Sequence, residues 1–339
     1  MTAHRQSLYF TAPNSVEVRS EPVPAPQADE VLVQTQLSAI SPGTEMLFYR
    51  GQIPEGMAAD SSIAALSGSA AYPFKYGYAC VGEVIDTGAH VDPSWRGRRV
   101  FAFHPHESHF CARPDALLAV PADLPIHAAA LLPNVETAVN FLLDGRPLVG
   151  ERVAIFGLGV VGLLTTAAVA RFPLVKLIAV DPLAARRELA ASLGATAVLD
   201  PVAPSFLADI KTILGDVGAD LVYELSGNPA ALDQAIAVAG YSGRVIVGSW
   251  YGAKRAPLNL GGDFHRSRIQ IQSSQVSTVT PSLTGRWDKA RRLNVAWSLL
   301  GELAIDQLIT HRIPFAAAAD AYSLIATRPE ESVQVLLDY

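Results

Sequence analysis

The chain has 339 residues, half of them hydrophobic, with a net charge of −6 and only two cysteines, Cys80 and Cys111. That length suits two linked cores better than one, the charge and the lack of a long Lys/Arg run exclude a phosphate-tracking nucleic-acid surface, and two cysteines are too few for a disulfide framework or a four-cysteine zinc lobe. The N-terminal MTAHRQSLYF has no basic-then-apolar leader and no apolar run reaches the roughly 20 residues of a bilayer span, so a cytoplasmic protein without a membrane partner is expected.

From Leu8 to Val120 the apolar residues come in short alternating runs, such as Val16-Glu17-Val18 and Val31-Leu32-Val33, cut by Pro and Gly. This is the rhythm of antiparallel strands joined by tight turns. Residues 51–71, GQIPEGMAADSSIAALSGSAA, are small and polar with little periodicity and read as a surface loop. After Leu131 strands and helices alternate. Strand-like runs lie at Arg152–Phe156, Lys176–Val180, Ala195–Leu199, Leu221–Leu225, Arg244–Val247 and Ile269–Ile271, with helical segments at Val160–Arg171, Ala184–Leu193, Ser205–Leu214 and Ala230–Ala239. Such alternation predicts an α/β domain with a doubly wound parallel sheet covered on both faces.

Beyond Ser273 the alternation stops. The mixed run Arg286, Lys289, Arg291 and Arg292 beside Asp288 reads as a solvated helix face. The last strand-like stretch, Ser332–Leu337, is expected to return to the antiparallel sheet. The expected division is therefore 1–132 with 273–339 as an antiparallel domain, and 133–272 as a dinucleotide-binding domain.

The segment RVAIFGLGVVG, Arg152 to Gly162, places G-x-G-x-x-G at the junction of a strand and a helix. Gly157 permits the tight turn, Gly159 lets the backbone approach a pyrophosphate, and Gly162 lets the helix pack close to the strand. The first helical turn, with Val160 and Val161, then faces the negative charge. A second apolar run ends at Asp181, where an acidic side chain serves ribose hydroxyls and repels a 2′-phosphate, so NAD is expected rather than NADP. Arg186 stands nearby as a contact for the adenine or a phosphate. Ser226 and Gly248, at the carboxyl ends of the fourth and fifth strands, are placed for the nicotinamide half of the cofactor. Trp250 and Tyr251, just beyond, offer stacking surfaces or ordinary packing.

These residues carry a resemblance. Thr44-Glu45 with Phe48-Tyr49-Arg50-Gly51, then GYACVGEVIDTG from Gly77 to Gly88, then VAIFGLGVVGLL from Val153 to Leu164, resemble the medium-chain dehydrogenase/reductase superfamily, which includes zinc alcohol and sorbitol dehydrogenases. The resemblance spans nearly the whole chain. It implies a GroES-like antiparallel β domain, completed by the C-terminal tail, around a Rossmann domain, and a homodimer paired through the last Rossmann strand, for which Ala256–Leu260 offers an edge. Within the superfamily the Ile40–Glu45 run, Ile-Ser-Pro-Gly-Thr-Glu, is similar to zinc-free members of the bacteriochlorophyllide-dehydrogenase kind.

Laid without gaps on the zinc-dependent pattern, the ligand cysteine falls on Pro42, the histidine on Tyr78, its neighbouring glutamate on Ala79 and the third ligand on Pro133. A catalytic zinc takes about three S, N or carboxylate ligands, so the expectation is hydride chemistry without metal. His104, His106, Glu107 and His109 are close in sequence, but neighbours on an extended loop point apart, and they read as a polar pocket wall. Without a Lewis acid, a positioned side chain has to manage the proton. The candidates are Thr44, which matches the superfamily's proton-relaying hydroxyl, Tyr78, His106 and Glu136. The leading expectation is an NAD(H)-dependent oxidoreductase acting on a small-molecule alcohol or ketone. The alternatives are an NADPH-dependent zinc-free reductase of an activated C=C bond or quinone, and a non-catalytic NAD-binding redox sensor.

Overall fold

The computed structural model describes residues 3–54, 56 and 63–339. The loop expected between 51 and 71 lies partly outside them. Contacts divide the chain into unit 1, Met1–Pro133 with Leu308–Tyr339, and unit 2, Asn134–Gln307.

Unit 1 opens with the hairpin β1 (His4–Ala12) and β2 (Ser15–Pro22). Its turn puts Asn14 at φ 60°, a left-handed conformation that asparagine tolerates better than most residues. Strand β3 (Val31–Ala39) is buried over most of its length and precedes the short helix α1 (Thr44–Tyr49). Then come β4 (Phe74–Lys75), β5 (Cys80–Thr87), β6 (Arg99–Ala102), β7 (His109–Ala112), β8 (Leu117–Ala119) and helix α2 (Ile126–Ala129). Strand β4 extends the hairpin into the order β2-β1-β4, while β3 pairs antiparallel with β5 and β7. Phe10, Phe48, Phe74, Tyr76 and Tyr322 fill the core between the small sheet and the helices.

Unit 2 runs α3 (Leu132–Gly145), β9 (Arg152–Phe156), α4 (Val160–Val169), β10 (Lys176–Val180), α5 (Ala184–Ser192), β11 (Ala197–Leu199), α6 (Phe206–Leu214), β12 (Ala219–Glu224), α7 (Pro229–Val238), β13 (Ala239–Val247), β14 (Gln270–Ser273) and α8 (Lys289–Leu300). Its strands are parallel in the order β11-β10-β9-β12-β13-β14. Chain order reverses between β9 and β12, and in such sheets ligands bind outside the carboxyl ends of the strands at that switch point. The central strands are apolar on both faces, with Val153, Ala154, Ile155, Leu221 and Val222 fully buried, as a sheet covered on both sides requires.

The tail adds β15 (Ile309–Pro314), α9 (Ala318–Thr327) and β16 (Gln334–Asp338). Strand β16 joins unit 1 antiparallel to β3 and parallel to β15, the return expected for the last strand.

Two expectations are corrected. Re-entry to unit 1 comes at Leu308, not Ser273, because α8 stays with unit 2 through Arg292. That residue, read as part of a solvated face, is 0% exposed; its guanidinium donates to Glu136 Oε1 (3.1 and 2.9 Å) and Asn140 Oδ1 (2.6 Å) on α3, and to the Thr278 carbonyl at 3.2 Å. Secondly, residues 256–260 form no strand; Pro257 lacks an amide donor, and Ala256 and Leu258 pack on the core instead. The sheet edge is β14.

Candidate active site

The candidate residues fall into two groups, one in each unit.

In unit 2 the polypeptide leaves β9 through Gly157 at φ +90°, and a Cβ there would lie 2.5 Å from Ser226 Cα. A Cβ on Gly162 would lie 1.9 Å from the Gly157 carbonyl oxygen, so helix α4 approaches the strand more closely than any side chain allows. Gly159 differs. It is the N-terminal cap of α4, and a Cβ on it would meet nothing within 4 Å, leaving open space before the free amides of the first helical turn at Val160 and Val161. This is the cradle that a pyrophosphate fits.

Beside it lies an open cleft of about 130 Å³ lined by Gly157, Val180, Pro182, Ser226, Asn228 and Gln234 among others, at the switch point of the sheet. Asp181 is 4% exposed at the end of β10, and its two oxygens accept from the Leu158 amide (2.8 Å) and the Leu183 amide (2.9 Å). The carboxylate therefore also shapes the glycine turn, a task the sequence reading did not give it. Burial lowers the Arg186 pKa against the pull of Asp181, so the two charges are neighbours. Ser226 donates both its amide (2.8 Å) and its hydroxyl (2.5 Å) to the fully buried Glu224, whose other oxygen accepts the Tyr251 hydroxyl at 2.6 Å. Tyr251 is thus tied to the protein. Gly248 has a packing reason for its size, since a Cβ would lie 2.4 Å from the Phe141 ring.

Glu136, expected as a proton carrier, is also in unit 2. It is 3% exposed and paired with Arg292. Its role here is to anchor α8 to α3.

In unit 1 the candidate hydroxyls gather at the start of α1. The Tyr78 phenol donates to Ser41 Oγ at 2.6 Å, and the Thr44 amide donates to the same oxygen at 3.4 Å. Ser41, Thr44 and Tyr78 are each partly exposed. Ser41 was missed from the sequence, although its place three residues ahead of Thr44 at a helix start is where a serine hydroxyl meets backbone amides.

His106 does not join this exposed group. It is 0% exposed, with Nδ1 2.7 Å from Ser38 Oγ and Nε2 3.0 Å from Glu45 Oε2, so neither ring nitrogen has an edge left for a substrate. The rest of its loop also turns inward. His104 stacks on Phe110 with ring centroids 3.9 Å apart, and burial lowers its pKa; Glu107 pairs with Lys75 and Arg5. The expectation of a pocket wall is corrected: His106 and Ser108 are hydrogen-bonded to β1, which pins the loop against the sheet.

The positions aligned with zinc ligands hold Pro42, Tyr78, Ala79 and Pro133, of which only the Tyr78 phenol is polar, and it is bonded to Ser41. The nearest thiol, Cys80, is buried; burial pushes its pKa far up, and its Sγ lies 3.2 Å from the His104 carbonyl. Among the described residues no group of three His, Cys, Asp or Glu side chains is arranged to hold a metal ion. Pro42, Ala79 and Pro133 offer no sulfur, nitrogen or carboxylate ligand at the aligned positions.

The sequence profile of the zinc-binding dehydrogenase family matches residues 160–293. The chain is 26% identical over 345 residues to D-guloside 3-dehydrogenase of Escherichia coli (strain K12), covering 97% of this chain and 99% of that protein. These similarities are to zinc-type dehydrogenases of the medium-chain dehydrogenase/reductase kind. The chain is also 27% identical to sorbitol dehydrogenase of Bacillus subtilis (strain 168), with 73% and 76% of the two chains covered. The fold is shared with an alcohol dehydrogenase from Escherichia coli CFT073 solved in complex with NADH (TM-score 0.80, 20% identity, 99% of each chain). It is shared equally with 2R,3R-butanediol dehydrogenase from Bacillus subtilis (TM-score 0.80, 18% identity, 99% of each chain). The antiparallel unit is GroES-like and the parallel one a Rossmann domain, and the chain, like its named dehydrogenase relatives, is an enzyme. A purely sensory role is set aside. No helix among the described residues is long and apolar enough to cross a membrane.

Proposed function

We propose that the protein is an NAD(H)-dependent alcohol dehydrogenase or ketone reductase that works without zinc, with unit 2 holding the dinucleotide and the Ser41–Tyr78 hydroxyl pair managing the proton. The observation that carries this reading is the Tyr78 phenol donating to Ser41 Oγ at 2.6 Å, with Tyr78 standing at the position aligned with a zinc-ligand histidine. The cradle at Gly159 fits the pyrophosphate, and Asp181 favours unphosphorylated ribose. The bound nicotinamide supplies or accepts the hydride. In reduction, the Ser41 hydroxyl donates a proton to the carbonyl oxygen as it gains negative charge, Tyr78 restores the Ser41 proton along the existing hydrogen bond, and solvent returns a proton to the partly exposed Tyr78 phenol; oxidation of an alcohol reverses the transfer. Relatives that act on a guloside and on sorbitol support a secondary alcohol as the reacting group. The proposal includes a cytoplasmic homodimer, with β14 as the available sheet edge.

The test titrates metal-analysed protein with NADH and NADPH by nicotinamide fluorescence, repeats the NADH titration on Asp181→Ala, and measures turnover of an alcohol and ketone panel by Tyr78→Phe. Preference for NADH that weakens in Asp181→Ala, no stoichiometric zinc, and at least tenfold slower turnover by Tyr78→Phe are expected. Preference for NADPH would move the C=C or quinone reductase forward. One zinc per chain, or full activity of Tyr78→Phe, would overturn the proton assignment.

A further inference from the structure

Immediately behind the hydroxyl pair lies a fully buried polar unit built from parts of the chain far apart in sequence. Glu45, in the first turn of α1, is 0% exposed, yet no lysine or arginine pairs with it among the ion pairs of the described residues. Its Oε1 accepts the Ser41 amide at 2.8 Å, and its Oε2 accepts the Tyr322 hydroxyl and faces His106 Nε2 at 3.0 Å. Burial, reinforced by Glu45, raises the Tyr322 phenol well above its usual range, so it stays a donor. The other nitrogen of His106 meets Ser38 Oγ at 2.7 Å, and that oxygen lies 3.0 Å from the hydroxyl of Tyr339, the last residue.

The position specifies its side chain chemically. Donors arrive at both oxygens, and only a carboxylate accepts at both ends; glutamine would turn an NH2 group toward the Ser41 amide or toward Tyr322. Stability alone does not call for this arrangement, since apolar residues of similar volume often replace buried ion pairs without loss. What the unit does control is the placement of the hydroxyl pair. Glu45 fixes the Ser41 backbone, and therefore the oxygen that Tyr78 addresses. His106 acts on the other partner, because its ring lies against Gly77, the residue before Tyr78. Gly77 has φ +120°, and a Cβ there would lie 2.5 Å from the ring.

We propose that Glu45 and His106 are positioning residues for the Ser41–Tyr78 pair: the carboxylate holds Ser41, the imidazole holds the Gly77 backbone, and the hydrogen bond between them keeps the two hydroxyls in register. This rests on the reading that Tyr78 and Ser41 manage the proton. It assigns His106 no contact with substrate, and it makes Tyr322 and Tyr339 of the tail part of the support.

The test uses the full chain labelled with [13Cζ]tyrosine, the Tyr78 resonance being assigned by its loss in Tyr78→Phe and exposed Tyr241 serving as an internal control. Glu45→Gln and His106→Ala should shift and broaden the Tyr78 signal without moving Tyr241. His106→Gln, whose amide can again donate toward Glu45, should restore the Tyr78 signal toward its wild-type position. Turnover should fall at least tenfold in kcat with KM for NADH unchanged in Glu45→Gln and His106→Ala, and recover in His106→Gln. Should Glu45→Gln fail to fold, the His106 pair alone decides. A Tyr78 signal that does not move in a folded His106→Ala protein overturns the positioning role, whatever the activity. A shifted signal with full activity of Tyr78→Phe instead overturns the proton assignment and leaves the positional coupling standing.

Discussion

Unit 2 places its candidate cofactor groups with one contiguous stretch, from β9 through Gly157, Gly159 and Gly162 into α4, and only Asp181, Ser226 and a few cleft residues join from elsewhere. Unit 1 places its hydroxyl pair through Ser38, Glu45, His106, Tyr322 and Tyr339, spread over almost the whole chain. The first arrangement works through backbone geometry that glycine permits at fixed spacing. The second works through buried side-chain hydrogen bonds that exist only after distant segments have packed. The two should therefore fail differently under substitution.

The largest effect is expected where unit 2 departs from its own pattern and relies on a long-range buried pair. Arg292→Ala leaves Glu136 and Asn140 buried without their donor and should cost about 3–5 kcal/mol in urea unfolding, whereas Arg292→Met, which leaves less of a cavity, should cost less. Equal loss for the two would mean that the charge and its hydrogen bonds, not side-chain volume, hold α8 to α3.

The glycine turn gives the next contrast. Gly162→Ala forces a methyl into the Gly157 carbonyl and should destabilise by about 1–3 kcal/mol, as overpacked sites do. Gly159→Ala points into open space and should stay within about 0.5 kcal/mol of wild type. Gly159→Val should leave thermal stability equally untouched while weakening NADH binding at least tenfold in a fluorescence titration, because its side chain fills the cradle. Unchanged NADH affinity in Gly159→Val would remove the pyrophosphate from that place.

The same contrast explains what could be read in advance. Five-residue apolar runs such as Arg152–Phe156 and Lys176–Val180 became β9 and β10 with those ends, because a strand buried on both faces needs no partner pattern to reveal it. The motif at Gly157 to Gly162 was legible for the same local reason. Arg292 was misread because a mixed charge run is judged by its neighbours, while Glu136 and Asn140 lie on α3, far back in the chain. His106 was misread because a titratable side chain near expected zinc positions looks available until Glu45 and Ser38 are seen to occupy both nitrogens. Nothing in the sequence separates Tyr322 or Tyr339 from ordinary core aromatics. Glu45 did stand in the Ile40–Glu45 run that carried the resemblance, but no local pattern gave it a partner.

The smallest effect concerns a second polar cluster of unit 1, which is partly exposed and so sharpens the distinction between buried and surface networks. Glu21 receives Lys75 Nζ at 2.8 Å, Arg5 Nη2 at 2.9 Å, the Ser7 hydroxyl at 3.1 Å and the Tyr9 hydroxyl. Burial works to raise its pKa, but hydrogen bonds from Lys75 and Tyr9 and the Lys75 charge outweigh it and hold the carboxyl at about 2. A depressed carboxylate adds stability that is complete above its unfolded value and disappears as pH falls through the folded one. The contribution should therefore be full above about pH 4.5 and vanish toward about pH 2. Urea midpoints across that window should fall more steeply for wild type than for Glu21→Gln, and the gap between the two proteins should close at the acid end. Because the cluster meets solvent, added salt should narrow the gap at pH 6 as well, which the enclosed Glu45–His106 pair should resist. A gap at pH 6 that salt leaves intact would place Glu21 with the buried networks instead.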